Sequence, residues 1–82
     1  MKIKYKPTAV NQLKKIPKQE LRKIIRKLEL LADDPFVGKP LKGEFEGLYS
    51  LRAWPYRIIY LIESDSGTIT VFLVTHRQSA YK

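Results

Sequence analysis

Arg52 and Arg57 flank the dipeptide Trp54-Pro55, and His76, Arg77 and Tyr81 fall close together near the end of the chain. A guanidinium keeps its charge in proteins and grips two phosphate oxygens in a planar fork, so these residues suit the chemistry of phosphate esters. Chemistry at a phosphate ester makes three demands: an attacking hydroxyl loses a proton, the charge developing on the phosphorus is balanced, and the leaving oxygen gains a proton. Arginines and a tyrosine supply much of this. Histidine is the side-chain type that exchanges protons near neutral pH, and the chain has one, His76. The plainer alternatives are that Arg52 and Arg57 pair with Glu44, Glu46 or Glu63 on the surface, each pair worth about 0–1 kcal/mol, and that His76 is structural.

A chain of 82 residues holds one core, so residues 1–82 are read as a single domain. Its 44% hydrophobic content and nine aromatics separate it from chains that stay unfolded. There is no cysteine, which excludes disulfides and thiolate metal sites, and a lone histidine excludes a His-rich metal cluster. No metal and no small-molecule cofactor are expected. With no apolar run near the ~20 residues of a membrane span and no apolar leader, the expected location is cytoplasmic.

The net charge of +8 is unevenly placed. Residues 1–30 hold ten basic and two acidic side chains, whereas residues 31–82 hold six of each. The whole excess therefore lies in the first third, where it would attract a polyanion; nucleic acid is the leading candidate, ahead of an anionic membrane or an acidic protein.

The elements that must position the arginines follow from periodicity. Met1, Ile3 and Tyr5 alternate with lysines as a short strand. Thr8 is an expected N-cap for a helix presenting Val10, Leu13 and Ile16, which Pro17 ends. Leu21, Ile24, Ile25, Leu28, Leu31 and Ala32 then form the stripe of a second, amphipathic helix, stopped by Asp33-Asp34-Pro35. Lys14, Lys15, Lys18, Arg22, Lys23, Arg26 and Lys27 lie on the wet side of this hairpin and are the expected contacts to a nucleic-acid backbone. Residues 36–47 read as an irregular connector, and strands are expected at 48–53, 56–63 and 68–75. The expected fold is α+β, in the order β-α-α-β-β-β, with the helical hairpin on one face of a small, mainly antiparallel four-stranded sheet.

Alternation in the strand at 56–63 sets Tyr56, Ile58, Tyr60 and Ile62 toward the helices and Arg57, Ile59 and Leu61 on the open face. Arg52 then lies beside Arg57 on that face. Ile59 and Leu61 are expected to be exposed there and to bind a protein partner. Tyr49, Tyr56 and Tyr60 read as core tyrosines, and Trp54 as turn packing or a base-stacking platform.

The stretch Leu48-Tyr49-Ser50-Leu51-Arg52-Ala53-Trp54-Pro55-Tyr56-Arg57-Ile58-Ile59-Tyr60 resembles the RelE/ParE toxin superfamily, as does Thr75-His76-Arg77-Gln78-Ser79-Ala80-Tyr81. Asp34-Pro35 and Lys39-Pro40-Leu41-Lys42-Gly43 are similar to that superfamily's connector. The resemblance covers essentially the whole chain. It implies the toxin of a type II toxin-antitoxin system, held inactive by a cognate antitoxin. The RelE-like branch is a ribosome-dependent endoribonuclease that cuts mRNA in the decoding site and so inhibits translation. The ParE-like branch inhibits DNA gyrase without nuclease activity, and a third possibility is a non-toxic nucleic-acid binder.

On the RelE-like reading, Arg57 matches the catalytic arginine that holds the scissile phosphate, and Arg77 matches a second arginine that clamps phosphate or protonates the leaving oxygen. Tyr81 matches a C-terminal tyrosine that stacks on a base or orients the nucleophile. Arg52 stands near a position where a lysine acts as base in RelE-like members, and Ser50 where another lysine occurs. His76 is the candidate acid or base in this chain. The implied partners are the antitoxin, the ribosome and mRNA.

Overall fold

Pro7 begins the first helix two residues after the first strand ends. In this computed structural model, which describes residues 1–76, strand β1 spans Lys2–Tyr5 and helix α1 Pro7–Lys14. The helix starts without the side-chain cap expected from Thr8: Lys6 is the N-cap residue. Its N–H completes the strand pairing by donating to Val71 O at 2.9 Å, and its carbonyl accepts the first helical bond from Val10 N at 3.1 Å. Proline at the first helical position needs no donor partner and has its φ already set, so strand and helix join without a capping loop.

Helix α2, Lys18–Asp33, follows Pro17 and buries Ile24, Leu28 and Leu31. Ile25, expected on the same stripe, is instead exposed at the helix flank. The Asp34 carboxylate accepts from Phe36 N at 3.1 Å and turns the chain out of the helix.

The sheet has five strands rather than four, in the order β1-β5-β4-β3-β2. The additional member is β2, Lys39–Pro40, which pairs antiparallel with β3, Tyr49–Ala53. So short a strand, with a proline that donates nothing to the ladder, leaves no periodic trace in sequence. Strands β4, Tyr56–Glu63, and β5, Thr68–His76, complete an antiparallel meander, and β1 closes the far edge parallel to β5. The α+β order and the helical hairpin on one face stand as expected.

Both helices pack on the face that carries Leu51, Ala53, Ile58, Tyr60, Ile69, Val71 and Val74. Partner registers Ile58 with Val74, Tyr60 with Val71 and Ile62 with Ile69 show β4 alternating as expected, but β5 does not. Ile59 pairs with Leu73 and Tyr60 with Val71, so Phe72 is an extra residue in a β-bulge. Val71 and Val74 consequently share the helix face, while Phe72 and Leu73 both turn to the other. Past this bulge β1 has ended, and the Gln12 side chain of α1 accepts from Val74 N at 2.7 Å.

On the open face, Ile59 is 1% exposed, contrary to the expectation of an exposed contact residue. With Phe45, Leu48, Phe72 and Leu73 it lines an apolar groove of about 430 Å³ whose rim includes Lys6. Leu61 is half-buried. A second, smaller apolar layer thus covers the face that alternation alone left bare.

Candidate active site

Strands β3 and β4 meet in a tight turn at Trp54-Pro55, whose peptide bond is cis. The register sets Arg52 directly opposite Arg57, so their Cβ atoms stand about 4.5–5.5 Å apart. Like charges at this spacing oppose folding unless an anion or counter-charge joins them. Among the described residues neither arginine pairs with Glu44, Glu46 or Glu63; the ion pair found there joins Lys23 to Glu20 at 3.7 Å on α2. Glu63 instead accepts from the Thr70 hydroxyl at 2.6 Å. The surface ion-pair alternative for the two arginines is therefore not what the fold builds.

Arg52 is exposed and its guanidinium lies 5.9 Å from the Trp54 ring centroid, a cation–π contact that gives its plane a preferred orientation. Arg57 is half-buried, and its Nε has no hydrogen-bond partner among the described residues. Thr75, its register partner on β5, has a buried hydroxyl in the same condition. Arg52, Arg57 and Thr75 thus form a polar row across three strands of one face. Buried polar atoms are nearly always satisfied in folded proteins, and the oxygens of a bound anion could satisfy the Arg57 Nε–H and the Thr75 hydroxyl together.

The two arginines of this row line a groove of about 510 Å³. Lys27, Lys39, Ser50, Arg52 and Arg57 supply its polar lining, Val37 to Leu41 form a wall, and no carboxylate contributes. Its chemistry is that of an anion site: two forks suited to a phosphoryl group and two point charges beside them.

The other expected site residues divide. His76 pairs in register with Tyr56 and contacts that ring edge-on, with centroids 5.4 Å apart. That is the helix face, opposite the side of Arg57 and Thr75, so the fold does not bring His76 together with the arginine pair. The bulge at Phe72 decides this by reversing the parity of every residue after it. Arg77 and Tyr81 lie outside the described residues. Lys14, Lys15, Lys18, Arg22, Lys23 and Arg26 are exposed as expected, whereas Lys27 is half-buried in the groove wall. Lys39 and Thr75 were not among the expected site residues, and Ser50 was noted only as standing where a lysine occurs in RelE-like members; Lys39 lay only within a connector motif, and nothing local marks it as facing an arginine.

The groove wall is pinned by Tyr60, which is fully buried. Its hydroxyl donates to Pro35 O at 2.8 Å and accepts from Gly38 N at 3.1 Å, and its ring stacks on Tyr49 with centroids 5.6 Å apart. Burial pushes the Tyr60 phenol above its usual range, so it stays protonated and keeps donating.

The described residues contain no helix long and apolar enough to cross a membrane. A family model described as the ParE toxin of the type II toxin-antitoxin system, parDE, matches residues 3–81. The chain is 32% identical over 82 residues to Toxin RelG of Mycobacterium tuberculosis, spanning 98% of this chain and 94% of that relative. Toxin RelE of the same organism is 27% identical over 77 residues, spanning 92% and 79%. Among solved structures, the RelBE2 toxin-antitoxin complex of M. tuberculosis matches with a TM-score of 0.85 and 32% identity over 93% of this chain and 96% of its counterpart. The isolated E. coli RelE toxin shares the fold, with a TM-score of 0.78 at 18% identity over 92% and 82%. A family match along nearly the whole chain, carried on a sheet that sets two arginines face to face, shows that this chain belongs to the ParE toxin family of type II toxin-antitoxin systems, within the RelE/ParE superfamily.

Proposed function

We propose that this protein is a toxin that cleaves mRNA within the ribosome, as an endoribonuclease using the RNA's own 2′-hydroxyl. The observation that carries this reading is the Arg52–Arg57 pair, unpaired by any carboxylate among the described residues and set beside the orphaned Arg57 Nε and Thr75 hydroxyl. In the reaction the 2′-oxygen attacks the adjacent phosphorus and gives up its proton. The bond to the 5′-oxygen breaks, leaving a 2′,3′-cyclic phosphate, and that oxygen takes up through water the proton that the 2′-hydroxyl lost. Arg57 holds the scissile phosphate and balances the negative charge that builds on its oxygens, with Arg52 as the second fork. Both act as permanent cations rather than as bases. Arg77 and Tyr81 are assigned the second phosphate contact and the base-stacking role. His76, on the far side of the sheet, serves packing against Tyr56 in this reading. The exposed helix cations from Lys14 to Arg26 dock on ribosomal RNA backbone.

A cognate antitoxin is the proposed neutralising partner. Its apolar residues would enter the groove floored by Ile59 and reach the half-buried Leu61 on the same face, and its acidic residues would meet the +8 charge. Mapping mRNA 5′ ends by primer extension after induction tests the function. New cleavage ends within translated codons are expected; growth arrest with intact messages would overturn the reading. Inhibition of supercoiling by purified gyrase on addition of the purified protein would move it to the gyrase-inhibiting branch, which the matched family's description keeps in view.

A further inference from the structure

Lys27 and Lys39 come from a helix and an edge strand far apart in sequence, yet they line one groove with Arg52 and Arg57. Lys39 is the register partner of Ser50, and Ser50 precedes Arg52 by two residues on the same face. Two residues along a strand span about 7 Å, of the order of the step between successive phosphates in an extended nucleic-acid strand. Neither lysine has an ion-pair partner among the described residues, and the lining holds no acidic side chain to neutralise the four cations that share it. We infer that Lys27 and Lys39 form a second phosphate clamp, gripping the phosphodiester next to the one held by Arg52 and Arg57.

The residue types fit the division of labour. Arginine forks fix the geometry of the phosphoryl group that reacts, whereas ammonium groups on flexible stems hold a neighbouring phosphate as point charges and tolerate either sugar pucker or base. The clamp would thereby set the register of the strand without reading its sequence. Ser50 leaves space between the two clamps, and the Pro35–Gly38 turn pinned by Tyr60 holds the Lys39 strand in place. This inference rests on the cleavage reading only for the identity of the first phosphate.

The test uses a fluorescein-labelled, 2′-O-methyl hexanucleotide, which keeps the phosphates and lacks the attacking hydroxyl. Its affinity is measured by anisotropy across a salt series for the native protein, for Lys27→Gln/Lys39→Gln, and for Lys2→Gln/Lys4→Gln, which removes the same charge from β1. Losing one phosphate contact to single-stranded nucleic acid lowers the slope of log affinity against log salt by about 0.7. That drop is expected for the groove variant and not for the β1 variant, with thermal melting confirming that both are folded. An unchanged slope in the groove variant, an equal drop in the β1 variant, or no binding by the native protein would each overturn the clamp. Cleavage is read separately from message ends. Intact messages alongside a lost slope would sink the nuclease reading and leave the clamp standing, while native-level cutting by a groove variant with an unchanged slope would do the reverse.

Discussion

The Tyr60 hydroxyl and Gly38 are in direct contact: the Gly38 N–H donates to the phenol oxygen at 3.1 Å, and a Cβ built on Gly38 would collide with that same oxygen and approach Ser50 O to 2.9 Å. Gly38 has φ −80°, which any residue adopts, so its requirement is for space rather than for a left-handed backbone. Gly38→Ala must push back the turn that walls the groove, and it is expected to destabilise the fold by about 1–3 kcal/mol, as overpacking does. Tyr60→Phe, which removes the hydroxyl, should relieve part of that loss in the double variant even though it costs about 1–3 kcal/mol alone. Urea unfolding of the two single variants and the double variant checks this; strictly additive losses would count against the contact.

Stability should fall at high pH through the same phenol. Burial raises the folded-state pKa of Tyr60 above its usual 10.0, so above that pH the unfolded chain releases a proton that the folded chain retains. The stabilisation is complete below about pH 10 and is lost as pH climbs through the folded value. Tyr5, also raised by burial, contributes in the same direction. Thermal melts between pH 8 and 11 should show a decline that is shallower in Tyr60→Phe.

Arg57→Met removes the charge and keeps most of the aliphatic stem. It is expected to reduce mRNA cleavage about 10²-fold or more, the scale seen when one preorganised donor to a developing anion is lost. It should not reduce stability, because it relieves the like charge facing Arg52, a pair worth about 0.2–1 kcal/mol of repulsion. Primer extension together with urea midpoints separates the outcomes. A variant that cuts normally, or that loses activity only by unfolding, would defeat the assignment.

Ile59→Ala tests the second apolar layer. A residue exposed on an open face would lose about 0.5 kcal/mol or less, whereas one enclosed by Phe45, Leu48, Phe72 and Leu73 should lose about 2–4 kcal/mol with the cavity it leaves. The urea midpoint of the isolated protein distinguishes the two without any partner present.

The sequence by itself determined the local elements and their faces. Period-2 alternation in residues 56–63 oriented Arg57 and Tyr60, the helical stripe through Ile24, Leu28 and Leu31 defined the buried side of α2, and Trp54-Pro55 placed the turn that makes Arg52 and Arg57 neighbours. These features are encoded by residues a few positions apart, so spacing alone reveals them. The tertiary structure decided what depends on pairing between distant segments. One inserted residue, Phe72, reverses the parity of β5, bringing Thr75 to Arg57 and carrying His76 away. The two-residue strand at Lys39–Pro40 acquires meaning only from its register with Ser50, and Ile59 is buried in a groove that Phe45 and Leu48 line with Phe72 and Leu73. Lys27, one lysine among many on a basic helix, differs from its neighbours only in what α2 is packed beside. Bulges, edge pairings and loop coverage are set by contacts the chain makes after it has folded, and a one-dimensional pattern has no term for them.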